Sequence, residues 1–119
     1  MSRAKNWCFT LNNYVDADQD RLRTLAASEQ VAFLVFGREV GESGTPHLQG
    51  YIEFRVRKRL RQVKDLVGQR AHLEIRRGTG PEAREYCLKD GDFEEFGEMT
   101  QGWFLQPIII FPMEMEEGG

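Results

Sequence analysis

The sequence predicts an α+β sandwich, a mostly antiparallel five-stranded sheet flanked by helices. Three observations carry that prediction. Segments that alternate apolar and polar residues mark half-buried strands, other segments place apolar residues at helical spacing, and the two kinds follow one another as strand, helix, strand, strand, helix, strand, helix, strand. A chain of 119 residues has the length for one packed core and is too short for two ordinary domains.

The first strand is "NWCFTLNN", residues 6–13, with Trp7, Phe9 and Leu11 on one face and Cys8, Thr10 and Asn12 on the other. Asp16 or Asp18 caps a helix running to Ser28, with Leu22, Leu25 and Ala26 as its apolar stripe. "VAFLVFGRE", 31–39, is apolar on both faces, as expected of a strand covered on both sides. "GESGTP" is turn chemistry, and "HLQGYIEF", 47–54, is the third strand. In "RLRQVKDLVG", Leu60, Val63, Leu66 and Val67 fall at helical spacing and Gly68 supplies the stop. "AHLEIRR", 71–77, alternates again, with Ala71, Leu73 and Ile75 expected inward. Thr79 and Glu82 form a capping box, Pro81 sits in the first turn, and Gly91 closes the short helix "PEAREYCLKD". A fifth strand is expected around 92–99. This order suits the ferredoxin-like, RRM-like arrangement.

Residues 1–100 read as the folded domain, and 101–119, ending "LQPIIIFPMEMEEGG", as a tail or linker that carries no assigned chemistry. Apolar residues at 40% argue against disorder. No apolar run approaches the roughly 18 residues needed to cross a bilayer, so no membrane association is expected. The opening "MSRAKNWCF" lacks the apolar stretch of a secretory signal, and Cys8 and Cys87 show no metal or disulfide spacing; both read as reduced, small core residues.

The net charge of −3 conceals a division along the chain. From Asp92 onward there are seven acids and neither Lys nor Arg, which leaves an excess of four basic residues in the first 91. Arg55, Arg57, Lys58, Arg59, Arg61, Lys64 and Arg70 face one acid, Asp65, and make a local field that attracts phosphates. A solvated helix face is the plainer reading of that run.

Candidate chemistry concentrates at two places. Strand alternation puts His47 and Gln49 on one face, and Glu39 ends the neighbouring strand; an imidazole, an amide oxygen and a carboxylate can together ligate a divalent ion. On the last helix Tyr86 and Lys89 lie three apart, on one face. A tyrosine oxygen beside a cation can attack a polarised phosphate. Each pair taken alone is better explained by packing and surface solvation. His72 and Glu74 make a second His-x-acid pair, suited to the surface or to DNA contact more than to a second metal.

"FTLNN" (9–13), "PHLQG" (46–50) and "YCLK" (86–89) occur in that order and closely resemble the three motifs of the HUH endonucleases found in the replication-initiator (Rep) proteins of circoviruses, nanoviruses and related circular single-stranded DNA viruses. "RRGTG" before the last helix is also similar. The resemblance spans residues 6–99, with Gln49 standing where the wider superfamily has a second histidine, as in circovirus-like and nanovirus-like members. It implies a sequence-specific endonuclease that nicks the viral origin through Tyr86, keeps the 5′ phosphate as a phosphotyrosine, and starts rolling-circle replication. Glu39, His47 and Gln49 would match the metal ligands for Mn²⁺ or Mg²⁺, and Lys89 the motif lysine. DNA contacts are expected at Thr10, Asn12, Asn13, Tyr51 (by base stacking), Arg57, Lys58 and Arg59, although "NNY" also reads as a strand-end turn and Tyr51 as an edge-packing aromatic. The implied partners are single-stranded or hairpin origin DNA and, because no GxxxxGK[ST] loop occurs here, a helicase domain elsewhere in the full-length protein. The implied location is the host-cell nucleus. Two alternatives stand beside this reading: a plasmid-type rolling-circle initiator with the same chemistry, and a non-enzymatic nucleic-acid-binding module stacking bases on Trp7, Phe9 and Tyr51.

Overall fold

A computed structural model describes residues 2–99; the tail expected at 101–119 lies outside the described residues. The elements are β1 (Arg3–Asn12), α1 (Asp16–Ala26), β2 (Val31–Val40), β3 (Pro46–Arg59), α2 (Leu60–Val67), β4 (His72–Ile75), α3 (Gly80–Leu88) and β5 (Phe93–Gly97), in the order the sequence predicts. One open five-stranded sheet runs β4-β1-β3-β2-β5, every neighbouring pair antiparallel, which is a ferredoxin-like α+β sandwich.

Pleating divides the apolar residues between two faces. Trp7, Phe9, Leu11, Phe36, Leu48 and Ile52 meet Leu22 and Leu25 of α1 and Val63 and Val67 of α2. Burying each such large side chain contributes about 1.5–3 kcal/mol. Gly50 makes room there: a Cβ on it would sit 2.0 Å from the Phe9 ring. On the other face Phe33, Val35 and Tyr51 pack against Cys87 of α3. β2 is covered on both faces, Leu34 and Phe36 entering the first layer and Phe33 and Val35 the second, which is why "VAFLVF" is apolar throughout; a register shift between Val31 and Phe33 puts Val31 in the first layer as well.

α1 begins where the Asp18 carboxylate accepts the Val15 N–H at 2.8 Å, and it ends at Ala26, two residues before the expected stop. α3 has its predicted box: Glu82 N–H donates to Thr79 Oγ1 at 3.2 Å, and Thr79 N–H to Glu82 Oε1 at 2.9 Å. β3 runs five residues past the expected Phe54, because Ala4 and Arg3 extend β1 to pair with Lys58 and Arg59. Two expected core residues are exposed: Ile75, at the end of a four-residue edge strand, and Leu60, the first residue of α2.

An ion network fastens α1, β2 and β5 together. Glu94 receives Arg23 Nη2 at 2.7 Å and a short bond from Arg38, whose Nη1 reaches Asp92 at 2.8 Å. The hydrogen bond from Arg23, reinforced by Arg38, holds the Glu94 carboxyl down at about 2. Both cysteines are free; burial pushes the Cys87 thiol up to about 12 and raises Cys8, so neither is set up as a thiolate.

Candidate active site

Sheet register assembles the site. The β2–β3 pairing sets Glu39 opposite His47, and Gly37 opposite Gln49. The β1–β3 pairing sets Asn12 opposite His47, and Thr10 opposite Gln49; β4 then places His72 opposite Thr10. Directly opposed residues share a face, so these side chains form two polar rows on the side that α3 covers.

Helix α3 reaches those rows because β2 carries no side chain at Gly37. A Cβ there would lie 2.0 Å from the Cys87 carbonyl oxygen, so the backbone of α3 rests directly on the strand. This seats the Tyr86–Lys89 end of the helix beside Glu39. Lys89 Nζ donates to Glu39 Oε2 at 2.6 Å and lies 3.9 Å from the centre of the Tyr86 ring. The other carboxylate oxygen, Oε1, is 3.0 Å from His47 Nε2. Thr10 Oγ1 donates to Gln49 Oε1 at 3.3 Å, and Gln49 Nε2 donates to the Phe9 carbonyl at 3.4 Å. Glu39 is only 7% exposed, whereas Tyr86 is 55% exposed and opens to solvent. Burial alone would lower the Lys89 pKa, but the hydrogen bond and charge of Glu39 outweigh it and raise the pKa, fixing the ammonium.

These residues suit a divalent cation. The donor set is one carboxylate, one imidazole and one amide, a mixture rich in the oxygen that magnesium and manganese accept. Glu39 is buried and already paired with the Lys89 ammonium, so a divalent ion there would share the carboxylate with that lysine.

The structure therefore brings together Thr10, Glu39, His47, Gln49, Tyr86 and Lys89, with Asn12 exposed in the same row. Asn13 forms the turn at the end of β1, exposed, with φ 52° and its N–H donating to the Pro46 carbonyl at 2.8 Å. Arg57, Lys58 and Arg59 do not join the site. They sit at the opposite end of β3 from His47, a span of about 33–40 Å at roughly 3.3 Å per residue. There Arg57 and Arg59 line a cleft of about 440 Å³ with Arg3, Arg61 and Gln62.

Tyr51 is a correction. It has the parity of His47 and Gln49, but it lies under α3 and is fully buried, so its ring cannot stack on a base. Its hydroxyl bonds to the buried Glu53 and accepts from Arg76 Nη1 at 2.8 Å; burial raises its pKa. Gly80, the first residue of α3, closes over this group: a Cβ would stand 3.2 Å from both Glu53 Oε2 and the Tyr51 hydroxyl. The sequence signal for this brace was Glu53, a carboxylate inside an apolar strand. The signal for Gly37 was a glycine in mid-strand.

The second His-x-acid pair proves to be part of the same place. His72 Nε2 and Glu74 Oε2 are 3.0 Å apart, and both line a cleft of about 220 Å³ with Cys8, Phe9, Thr10, Gln49 and Tyr86.

Fold and site together define a class: a ferredoxin-like α+β domain with an exposed tyrosine beside a cluster of carboxylate, imidazole and amide side chains on one sheet face. Comparison with known proteins gives the family. The family described as "Putative viral replication protein" matches residues 4–90, and the chain belongs to it. The chain is 45% identical over 100 residues to the replication-associated protein of Canary circovirus, covering 83% of this chain and 34% of that protein. It is 45% identical over 91 residues to the replication-associated protein of Beak and feather disease virus (76% and 31%). The master replication protein of Subterranean clover stunt virus (strain F) is 44% identical over 99 residues, covering 80% and 32%. The chain thus spans about a third of the length of these relatives.

Proposed function

We propose that this chain is the endonuclease and strand-transferase portion of a viral replication initiator, nicking single-stranded origin DNA in the host-cell nucleus through Tyr86. The observation that carries the reading is the Lys89–Glu39 bond at 2.6 Å, which joins the tyrosine helix to the strand ends bearing the candidate metal ligands. Glu39, His47 and Gln49 would hold the ion. Bound there, magnesium or manganese supplies Lewis-acid polarisation of a phosphate oxygen.

The chain's own residues do the rest. Tyr86, exposed and seated over the cleft, presents its oxygen to the scissile phosphodiester. Attack forms the Tyr86 oxygen–phosphorus bond and breaks the bond to the 3′ oxygen; the phenol proton passes to solvent, and the departing 3′ oxygen takes a proton from solvent to become a hydroxyl. Lys89, its ammonium 3.9 Å from the centre of the ring, sets positive charge beside the phosphate as charge builds on it. The phosphotyrosine conserves the bond, so a later 3′ hydroxyl reverses the step and reseals a strand. A hairpin origin exposes its loop as the single strand. A helicase domain in the remaining length of the full protein would unwind the duplex behind the nick.

Incubation with a labelled single-stranded origin-loop oligonucleotide and manganese, read on a denaturing gel, tests this. The expected result is a covalent adduct that Tyr86→Phe abolishes while DNA binding is retained. An adduct formed by Tyr86→Phe would remove the nucleophile role from this residue.

A further inference from the structure

The sheet row that holds Gln49 and Thr10 continues onto β4 with His72, so the His72–Glu74 pair borders the cleft beneath Tyr86. Both side chains are open, 70% and 60% exposed, and Glu74 engages His72 through Oε2 alone among the described residues. A carboxylate beside a DNA nucleophile is a poor neighbour for phosphate. The hydrogen bond from His72, and then its charge, lower the Glu74 pKa, so the group stays ionised. An ionised carboxylate repels backbone phosphates and accepts hydrogen from base amines instead.

We propose that His72 and Glu74 read the edge of one base next to the scissile phosphate, selecting cytosine or adenine against thymine; this rests on the nicking site proposed above. The cleft of about 220 Å³ is smaller than the usual pocket for a drug-sized ligand, which fits the edge of one base. Cytosine and adenine each present an exocyclic amine beside an acceptor ring nitrogen. Glu74 Oε1 supplies the acceptor for the amine that both bases carry, while His72 holds the other carboxylate oxygen in place. Guanine's adjacent N1–H and N2 amine would take both carboxylate oxygens, and His72 occupies one of them. Thymine has no amine, and its one edge donor, N3–H, is flanked by O2 and O4, which would face a negative group. The selectivity therefore combines an attraction with a repulsion.

The experiment uses hairpins whose loop is fully randomised, with two readouts: sequencing of DNA captured covalently by the otherwise unaltered protein, and sequencing of DNA retained at equilibrium by Tyr86→Phe. Each is repeated with Glu74→Gln and His72→Ala, whose folding is checked by melting temperature. Within two nucleotides of the nick, cytosine or adenine should exceed thymine about tenfold, and Glu74→Gln should reduce that ratio at the same position alone. An unchanged base profile in both readouts overturns the proposal. So does a uniform rise in affinity for all sequences, which would make Glu74 a repulsive charge only. If no covalent capture occurs yet the retained pool shows a Glu74-dependent base preference, the nicking reading fails and base reading stands.

Discussion

Gly37→Ala should separate the tyrosine helix from the strands it serves. The new Cβ would lie 2.0 Å from the Cys87 carbonyl oxygen, and both partners are backbone, so no side chain can swing aside. Recovery of ordinary contact at 3.4 Å needs α3 to retreat by about 1.4 Å. Overpacking of this kind costs about 1–3 kcal/mol, which in a domain of this size lowers the melting temperature by about 4–8 °C per kcal/mol. The retreat also draws Tyr86 and Lys89 from Glu39, and a misplacement near 1 Å costs about 100-fold in rate. Single-turnover adduct formation, DNA anisotropy and thermal unfolding would be measured together, with Gly41→Ala as control because its Cβ meets nothing closer than 3.9 Å. The expected pattern is near-normal DNA affinity, a lower melting temperature and a rate depressed about 100-fold. A Gly37→Ala protein that melts and reacts like the parent would refute the claim that backbone contact at this glycine sets the site.

Calorimetric titration with manganese should rank Gln49→His above the parent and Gln49→Ala below it, because imidazole is the stronger donor. Gln49→His should also be poisoned more easily by zinc and lose its metal sooner at mildly acidic pH, where two imidazoles must stay neutral; equal binding by all three would remove Gln49 from the ligand set. Replacing Arg57, Lys58 and Arg59 with alanine should make the salt dependence of DNA affinity shallower by about 2 in log–log slope, and an unchanged slope would return that cleft to solvated surface. The folded pKa of Glu94, about 2, lies below its reference of 4.5, so its ion pairs add stability above pH 4.5 that disappears as the pH falls through 2. Glu94→Gln should therefore lose up to about 2 kcal/mol at neutral pH and show a flatter fall in urea midpoint between pH 5 and 2; a parental acid profile would refute the assignment.

Local signals, periodicity with caps and turns, determined the elements here. Trp7, Phe9 and Leu11 repeat at two, Val63, Leu66 and Val67 near 3.6, and Thr79 with Glu82 marks a helix start, because these signals depend on backbone geometry within a few residues. Alternation also fixed which residues of β3 share a face with His47, and the three ordered motifs identified the family before any coordinates. What alternation cannot supply is whatever lies above a face. Tyr51 and Gln49 have the same parity, yet α3 covers the first and leaves the second in the cleft, since helix placement depends on Gly37 and on the Arg76–Tyr51–Glu53 brace. His72 and Glu74 looked unrelated to Tyr86 until the β1–β4 pairing set them beside Thr10. Arg57 to Arg59, neighbours of the motif in sequence, were carried to the far end of an extended strand. Local order is written in spacing, but which side chains meet is decided by pairings between residues dozens of positions apart, and only the folded sheet makes those pairings.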